Sequence, residues 1–99
     1  MTEKEIEKLL HKEITRLGGT TRKWTAPGRA GVPDRIVFLP TGIVMFVELK
    51  TTRGKLSVRQ KREIDSLLAL GADVTVVYGE KGVQGFIDSL PGWIHAATK

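Results

Sequence analysis

Ninety-nine residues, 40% of them hydrophobic and 27% charged, suffice for one folded globular domain and are not typical of a disordered segment. The longest apolar run, Ile43–Val47, is too short to cross a bilayer, and the amino terminus lacks the apolar core of a signal peptide. We therefore expect a cytoplasmic protein without membrane contact. The absence of cysteine excludes disulfides and thiolate metal sites.

Positive charge is concentrated in two stretches that contain no acidic residue. The net charge is +5, and the two stretches are Gly18–Pro33 and Leu49–Arg62. Such stretches would attract the phosphate backbone of a nucleic acid. The alternative is a solvated face that only keeps the protein in solution.

The first predicted element is a helix from Glu3 to Leu17. Thr2 and Glu5 have the spacing of a capping box, and Gly18-Gly19 ends the helix. Ile6, Leu9, Leu10, Ile14 and Leu17 form its apolar stripe. Projected at about 100° per residue, Glu3 lies within this stripe and Glu7 lies on its edge. A carboxylate there is either a surface residue or an acid that serves a site.

The next segment, Gly19 to Val32, reads as irregular or partly extended, because its glycines and proline argue against a helix. Trp24 within it either packs on the core or stacks on a base or sugar. Two apolar runs follow, Arg35–Leu39 and Ile43–Lys50, and the short turn signal between them predicts an antiparallel hairpin.

The second strand of the hairpin ends in charged residues. Period two places Glu48 and Lys50 on one face, near the point where Asp34 enters the first strand. Both faces of this strand are largely apolar, so it is predicted to be central in the sheet. The charges at its end therefore need an explanation.

A crossover follows the hairpin. Ser57 and Gln60 form a second capping box at the start of a predicted helix, Ser57–Leu70, with Ile64, Leu67 and Leu68 as its buried stripe. A strand over Asp73–Tyr78 then completes a βαβ unit, which favours parallel pairing. A short final helix is predicted over Val83–Leu90, broken by Pro91-Gly92 before a weakly structured tail.

The residue types at the hairpin fit metal-assisted hydrolysis of a phosphodiester. Mg²⁺ prefers oxygen ligands, and Asp34 and Glu48 would provide carboxylates. Lys50 would orient or deprotonate the attacking water, or stabilise the charge of the transition state. The structural alternative is a buried ion pair between Lys50 and one of the two acids, although such pairs stabilise weakly.

These residues carry a resemblance to a known family. Pro33-Asp34, a spacer, and Glu48-Leu49-Lys50 resemble the PD-(D/E)xK nuclease signature. The longer pattern, which adds Gly31-Val32 before it and Gly54-Lys55-Leu56-Ser57 with Gln60 after it, is similar to stand-alone VRR-NUC domains of the kind found in phage. The resemblance covers Glu3 to about Tyr78.

The resemblance implies a restriction-endonuclease-like α/β fold over residues 1–99, a small mixed β-sheet flanked by helices with an αβββαβ core. It implies metal ligation by Asp34, Glu48 and the carbonyl of Leu49, and catalysis by these acids with Lys50 and Gln60. A glutamate of the first helix should join them. Glu3 and Glu7 both fit, and counting back from the helix end favours Glu7. Capping of Ser57 would equally explain Gln60.

The resemblance further implies Mg²⁺ or Mn²⁺ dependence and cleavage of branched DNA by a homodimer, as in the similar Holliday-junction resolvases. Trp93 and Ile94 are candidates for the dimer interface. The DNA-binding residues would then be Arg22, Lys23, Arg29, Arg53, Lys55 and Arg59. The main alternative is a DNA-binding module or subunit that does not cleave. The complete set of Asp34, Glu48 and Lys50 argues against it, because a pure binder gains nothing from acids near phosphate.

Overall fold

The computed structural model describes residues 1–98 and contains a four-stranded sheet flanked by three helices. The elements in chain order are α1 Glu3–Arg16, β1 Thr20–Lys23, β2 Arg35–Leu39, β3 Ile43–Lys50, α2 Val58–Ala69, β4 Val74–Tyr78 and α3 Gly79–Thr98. The strand order is β1-β2-β3-β4; the first three strands pair antiparallel, and β3 and β4 pair parallel. The predicted mixed sheet and the parallel crossover pair are confirmed.

Local sequence rules explain where the first two helices begin. The hydroxyl of Thr2 accepts from the backbone amide of Glu5, whose carboxylate accepts from the amide of Thr2. The same reciprocal box joins Ser57 and Gln60 at the start of α2. Each box provides partners for amides that the helix itself leaves unpaired, so both predicted starts are confirmed.

The hydrophobic core lies on one face of the sheet, where α1 and α3 pack together. The stripe of α1 contributes Ile6, Leu10 and Ile14, all fully buried. The sheet contributes alternate residues of its strands, as period two requires. They are Val37, Leu39, Met45, Val47, Leu49 and Val77.

The predicted end of the last helix is wrong. Helix α3 continues through Pro91-Gly92 to Thr98, so the predicted weakly structured tail is helical as well. A proline inside a helix removes a hydrogen bond and costs about 3 kcal/mol. Val83, Phe86, Ile87 and Leu90, which α3 buries in the core, all precede Pro91. The residues after the proline therefore extend a helix that is already anchored in the core and need no new helix nucleus. Among residues 1–98, no helix is long and apolar enough to cross a membrane.

The opposite face of the sheet is only partly covered, by α2 and by Trp24. The Trp24 and Phe46 rings are tilted against each other with centroids 5.1 Å apart, so Trp24 packs on the sheet. Ile64 of α2 is buried, whereas Leu68, predicted to share its buried stripe, is 48% exposed. This face therefore leaves room for polar side chains at the carboxyl end of β3.

Candidate metal and nucleic-acid site

The register of the hairpin brings Asp34 beside the end of β3. Arg35 pairs with Val47, so Asp34, one residue before β2, stands opposite Glu48. The backbone amide of Leu49 donates to Oδ2 of Asp34 at 2.8 Å. The carbonyl of Asp34 accepts from the amide of Trp24 at 3.0 Å. The carboxylate of Asp34 is therefore held by β3, and its backbone is held by the residue that follows β1.

A third carboxylate comes from the first turn of α1, and it belongs to Glu3 rather than Glu7. One carboxylate oxygen from each of Glu3, Asp34 and Glu48 lies within 4.8 Å of the others. The carboxylate of Glu7 lies instead 3.5 Å from the guanidinium of Arg35, and both side chains are 21% exposed. Glu7, the helix acid that the sequence favoured, thus lies one helical turn beyond Glu3, and its carboxylate pairs with Arg35.

Glu48 is the most buried member of the group, with 1% of its surface exposed. Its Oε2 accepts from Nε2 of Gln60 at 3.0 Å and lies 3.6 Å from Nζ of Lys50. Its Oε1 is buried and has no hydrogen-bond partner within residues 1–98. Burial and the neighbouring charge of Asp34 raise the pKa of Glu48 from 4.5 to about 7, although Lys50 opposes the shift.

The donor set suits a divalent cation. A buried carboxylate oxygen without a partner is costly, and its pairing with a cation would offset that cost. Glu3, Asp34 and Glu48 offer only oxygen atoms, which Mg²⁺ and Mn²⁺ prefer. Glu3 is exposed and Asp34 half-buried, so the group can be reached from solvent.

Residues 2–81 match the VRR-NUC domain family. The chain belongs to this family. It is 47% identical over 75 residues to "Putative nuclease p44" of Acyrthosiphon pisum secondary endosymbiont phage 1, an alignment that covers 76% of this chain and 81% of that protein. The resemblance predicted from the motif is therefore confirmed.

Solved structures agree with the family. A structure described as "VRR_NUC domain" matches with a TM-score of 0.82 and 37% identity, covering 87% of this chain and 94% of that one. A second, described as "VRR_NUC domain protein", has a TM-score of 0.68 and 18% identity over 90% of this chain and 87% of that one. The second likeness concerns the fold alone.

Gln60 of this VRR-NUC domain both caps α2 and contacts the carboxylate group. Its side-chain oxygen accepts from the amide of Ser57 at 2.9 Å and closes the capping box. Its side-chain nitrogen donates to Glu48. The cap fixes the position of the amide group, and the amide group in turn holds one oxygen of Glu48.

The residues predicted to bind DNA fall into two groups. Arg22 donates to Thr20 and to the carbonyl of Thr21 on its own strand, and Arg29 pairs with Glu63. The other four are exposed and make no ion pair or side-chain hydrogen bond in the part of the chain that the structure describes. They are Lys23, Arg53, Lys55 and Arg59. Arg22 and Arg29 are thus held by the protein, whereas these four are free to contact a polyanion.

Two residues near the site were not singled out by sequence reasoning. Glu63 is 8% exposed on the inner side of α2, three residues after Gln60, a spacing that places both on one helix face. Arg35 begins β2, and period two places it with Val37 on the face that packs against α1. The helical period of α2 and the strand period of β2 could therefore have indicated that Glu63 and Arg35 point toward neighbouring elements.

Proposed function

We propose that this chain is a metal-dependent, structure-selective endonuclease that hydrolyses phosphodiester bonds in DNA, with branched DNA such as Holliday junctions as its substrate. Membership of the VRR-NUC family and the printed name of the phage relative support nuclease activity. The observation that carries the proposal is the buried, unpartnered Oε1 of Glu48 within a group of three carboxylates beside Lys50.

Glu3, Asp34 and Glu48 would hold Mg²⁺ or Mn²⁺, together with the carbonyl of Leu49, and Glu3 replaces Glu7 in this role. The bound ion supplies Lewis-acid chemistry by lowering the pKa of water and offsetting charge on the phosphate. The contact of Asp34 with the amide of Leu49 fixes one of its oxygens and leaves the other for the cation. A preorganised set of this kind is what a metal site requires.

Lys50 and Gln60 act from the protein side of the reaction. The ammonium of Lys50 stands 3.6 Å from Oε2 of Glu48 and is 14% exposed, so it presents a positive charge next to the carboxylates. There it orients the attacking water and stabilises the negative charge that develops on the phosphate. Gln60 donates a hydrogen bond to Oε2 of Glu48, so Oε1 is the oxygen that is left for the cation.

Glu7 becomes a positioning residue in this proposal. Its carboxylate pairs with Arg35, which directly follows Asp34 in the chain. Glu3 lies one helical turn before Glu7 on the same side of α1. The pair therefore ties α1 to the start of β2 and sets the distance between the carboxylates of Glu3 and Asp34.

The proposal includes a homodimer, since two sites related by a twofold axis suit a four-way junction. Phe38 and Val44 are cross-strand partners on the partly covered face, 39% and 42% exposed, and Trp93 on α3 is 43% exposed. These apolar surfaces are available to a second copy. Light scattering should give twice the mass of the chain, and a monomer at all concentrations would exclude this part.

The proposed activity is tested by cleavage in Mg²⁺ of a linear duplex, a flap and a four-way junction. We expect the junction to be cut fastest, with no product in a chelator. Asp34→Asn should lose cleavage and keep its circular dichroism spectrum. Cleavage by Asp34→Asn at the parent rate would refute the site. Binding of the junction without product in Mg²⁺ or Mn²⁺ would instead favour the non-cleaving module.

A further inference from the structure

A cleft lies between the segment before Asp34 and the first turns of α2. Its volume is about 530 Å³, and it is lined by Gly28, Arg29, Ala30, Val58, Arg59, Arg62 and Glu63. None of these residues belongs to the carboxylate group. The lining contains three arginines and one glutamate, so its charge balance is positive.

The wall of the cleft is built by an ion pair across the chain. Nε of Arg29 donates to both carboxylate oxygens of Glu63, at 3.1 and 2.9 Å, and a further guanidinium nitrogen lies 2.8 Å from Oε2. Gly31 passes so close to α2 that a Cβ there would stand 2.9 Å from the carbonyl oxygen of Arg59. Its φ of +87° also favours glycine. The segment is therefore held against the helix.

The remaining charge of the cleft is uncompensated. Glu63 is 8% exposed and its two oxygens are engaged by Arg29, so it has little capacity to pair with other cations. Arg59 and Arg62 are exposed and make no ion pair with a carboxylate among residues 1–98. At positions three apart on α2, they present neighbouring guanidinium groups to the same cleft. Guanidinium forks match the geometry of phosphate oxygens.

The cleft adjoins the carboxylate group along two elements. Arg59 directly precedes Gln60, whose side chain contacts Glu48. Ala30, on the other wall, lies four residues before Asp34. A DNA strand that crosses the carboxylates can therefore follow these elements into the cleft.

We propose that this cleft binds an internal phosphate of the DNA strand that reaches the carboxylate group. Arg59 and Arg62 make the contacts, and the pair of Arg29 with Glu63 keeps the wall in place. The inference rests on DNA being the substrate. It adds Arg62 to the DNA-binding residues, and it gives Arg29 a supporting role in place of the direct contact predicted from its charge.

The test measures binding without divalent cation, so that neither cleavage nor the metal group contributes. Fluorescein-labelled duplex and four-way junction DNA are titrated by anisotropy between about 50 and 200 mM salt. Arg59→Gln and Arg62→Gln should each make the dependence of log affinity on log salt less steep, by at most about 1, which is the contribution of one phosphate. Lys61→Gln is the matched control, because it removes the same charge from the same helix outside the cleft. Its slope should equal that of the parent.

Equal salt slopes for Arg62→Gln and Lys61→Gln would overturn the proposal, since α2 would then attract DNA only through its summed positive charge and not through contacts in the cleft. Arg62→Lys should retain the slope, because it keeps the charge. Duplexes with a 5′-phosphate or a 5′-hydroxyl should bind with the same affinity. If the affinity depends on Arg59 and Arg62 only for the duplex with the 5′-phosphate, the cleft binds a terminal phosphate and the proposed internal site is wrong. If the parent cleaves DNA but Arg62→Gln leaves the salt slope unchanged, only this inference fails. If Arg62→Gln reduces the slope but the parent does not cleave, only the proposed activity fails.

Discussion

Two buried glutamates on the same side of the sheet differ in what surrounds them. Glu63 is 8% exposed, and both of its oxygens accept hydrogen bonds from Arg29. Glu48 is 1% exposed, its Oε1 lacks a partner within residues 1–98, and burial raises its pKa to about 7. In a fully paired buried carboxylate the cost of burial is offset by its partners, whereas a carboxylate left incomplete is a candidate for function. We therefore expect the same substitution to affect cleavage differently at the two positions.

The largest expected effect is on cleavage. Glu48→Gln should reduce the rate in Mg²⁺ by roughly 10²–10³-fold, because it removes a ligand of the ion that offsets charge on the reacting phosphate. Glu63→Gln should leave the single-turnover rate near that of the parent. The measurement is single-turnover cleavage of a four-way junction at saturating enzyme. Equal losses of rate in the two variants would contradict the assignment of Glu48, and not Glu63, to the reaction.

The next effect concerns the helix acid that completes the Glu48 group. Glu3→Gln should raise the Mg²⁺ concentration for half-maximal cleavage by roughly 10–100-fold, because it removes a ligand. Glu7→Gln should raise it by roughly tenfold or less, because Arg35 then holds α1 less firmly. Thermal denaturation is the control for folding. Loss of activity in Glu7→Gln with normal Mg²⁺ dependence in Glu3→Gln would restore the assignment of Glu7.

The raised pKa of Glu48 predicts a pH dependence of stability in a chelator. The folded protein binds this proton more tightly than the unfolded chain, whose glutamate titrates near 4.5. The stability contributed by the proton is present at acidic pH and is lost as the pH rises through about 7. Glu48→Gln should remove this component, so its denaturation midpoint should rise relative to that of the parent as the pH increases from about 4.5 to about 7. An identical pH profile in both proteins would contradict the unpaired state of Glu48.

The smallest effect concerns the paired glutamate. Arg29→Gln leaves the carboxylate of Glu63 buried without its cation, so the midpoint of urea denaturation should fall at neutral pH. The double variant Arg29→Gln with Glu63→Gln should recover part of that loss, because the unpaired charge is gone. An unchanged midpoint in Arg29→Gln would mean that the pair does not support the fold.

Several features of the site could be predicted from short-range patterns. Strand period placed Glu48 and Lys50 on one face, and the capping box fixed Gln60 at the start of α2. Both rules depend on residues within a few positions of each other. The choice between Glu3 and Glu7 does not, because it depends on where the axis of α1 crosses the end of the sheet.

The sequence by itself determined the hairpin, the crossover and the proximity of Asp34, Glu48 and Lys50, because strand period and turn geometry dictate these. Only the tertiary structure decided which contacts form between distant segments. It paired Arg29 with Glu63, 34 positions away, a contact that no short-range pattern predicts. It also carried α3 past Pro91, because the part of the helix before the proline is already anchored in the core and can be extended without a new nucleus.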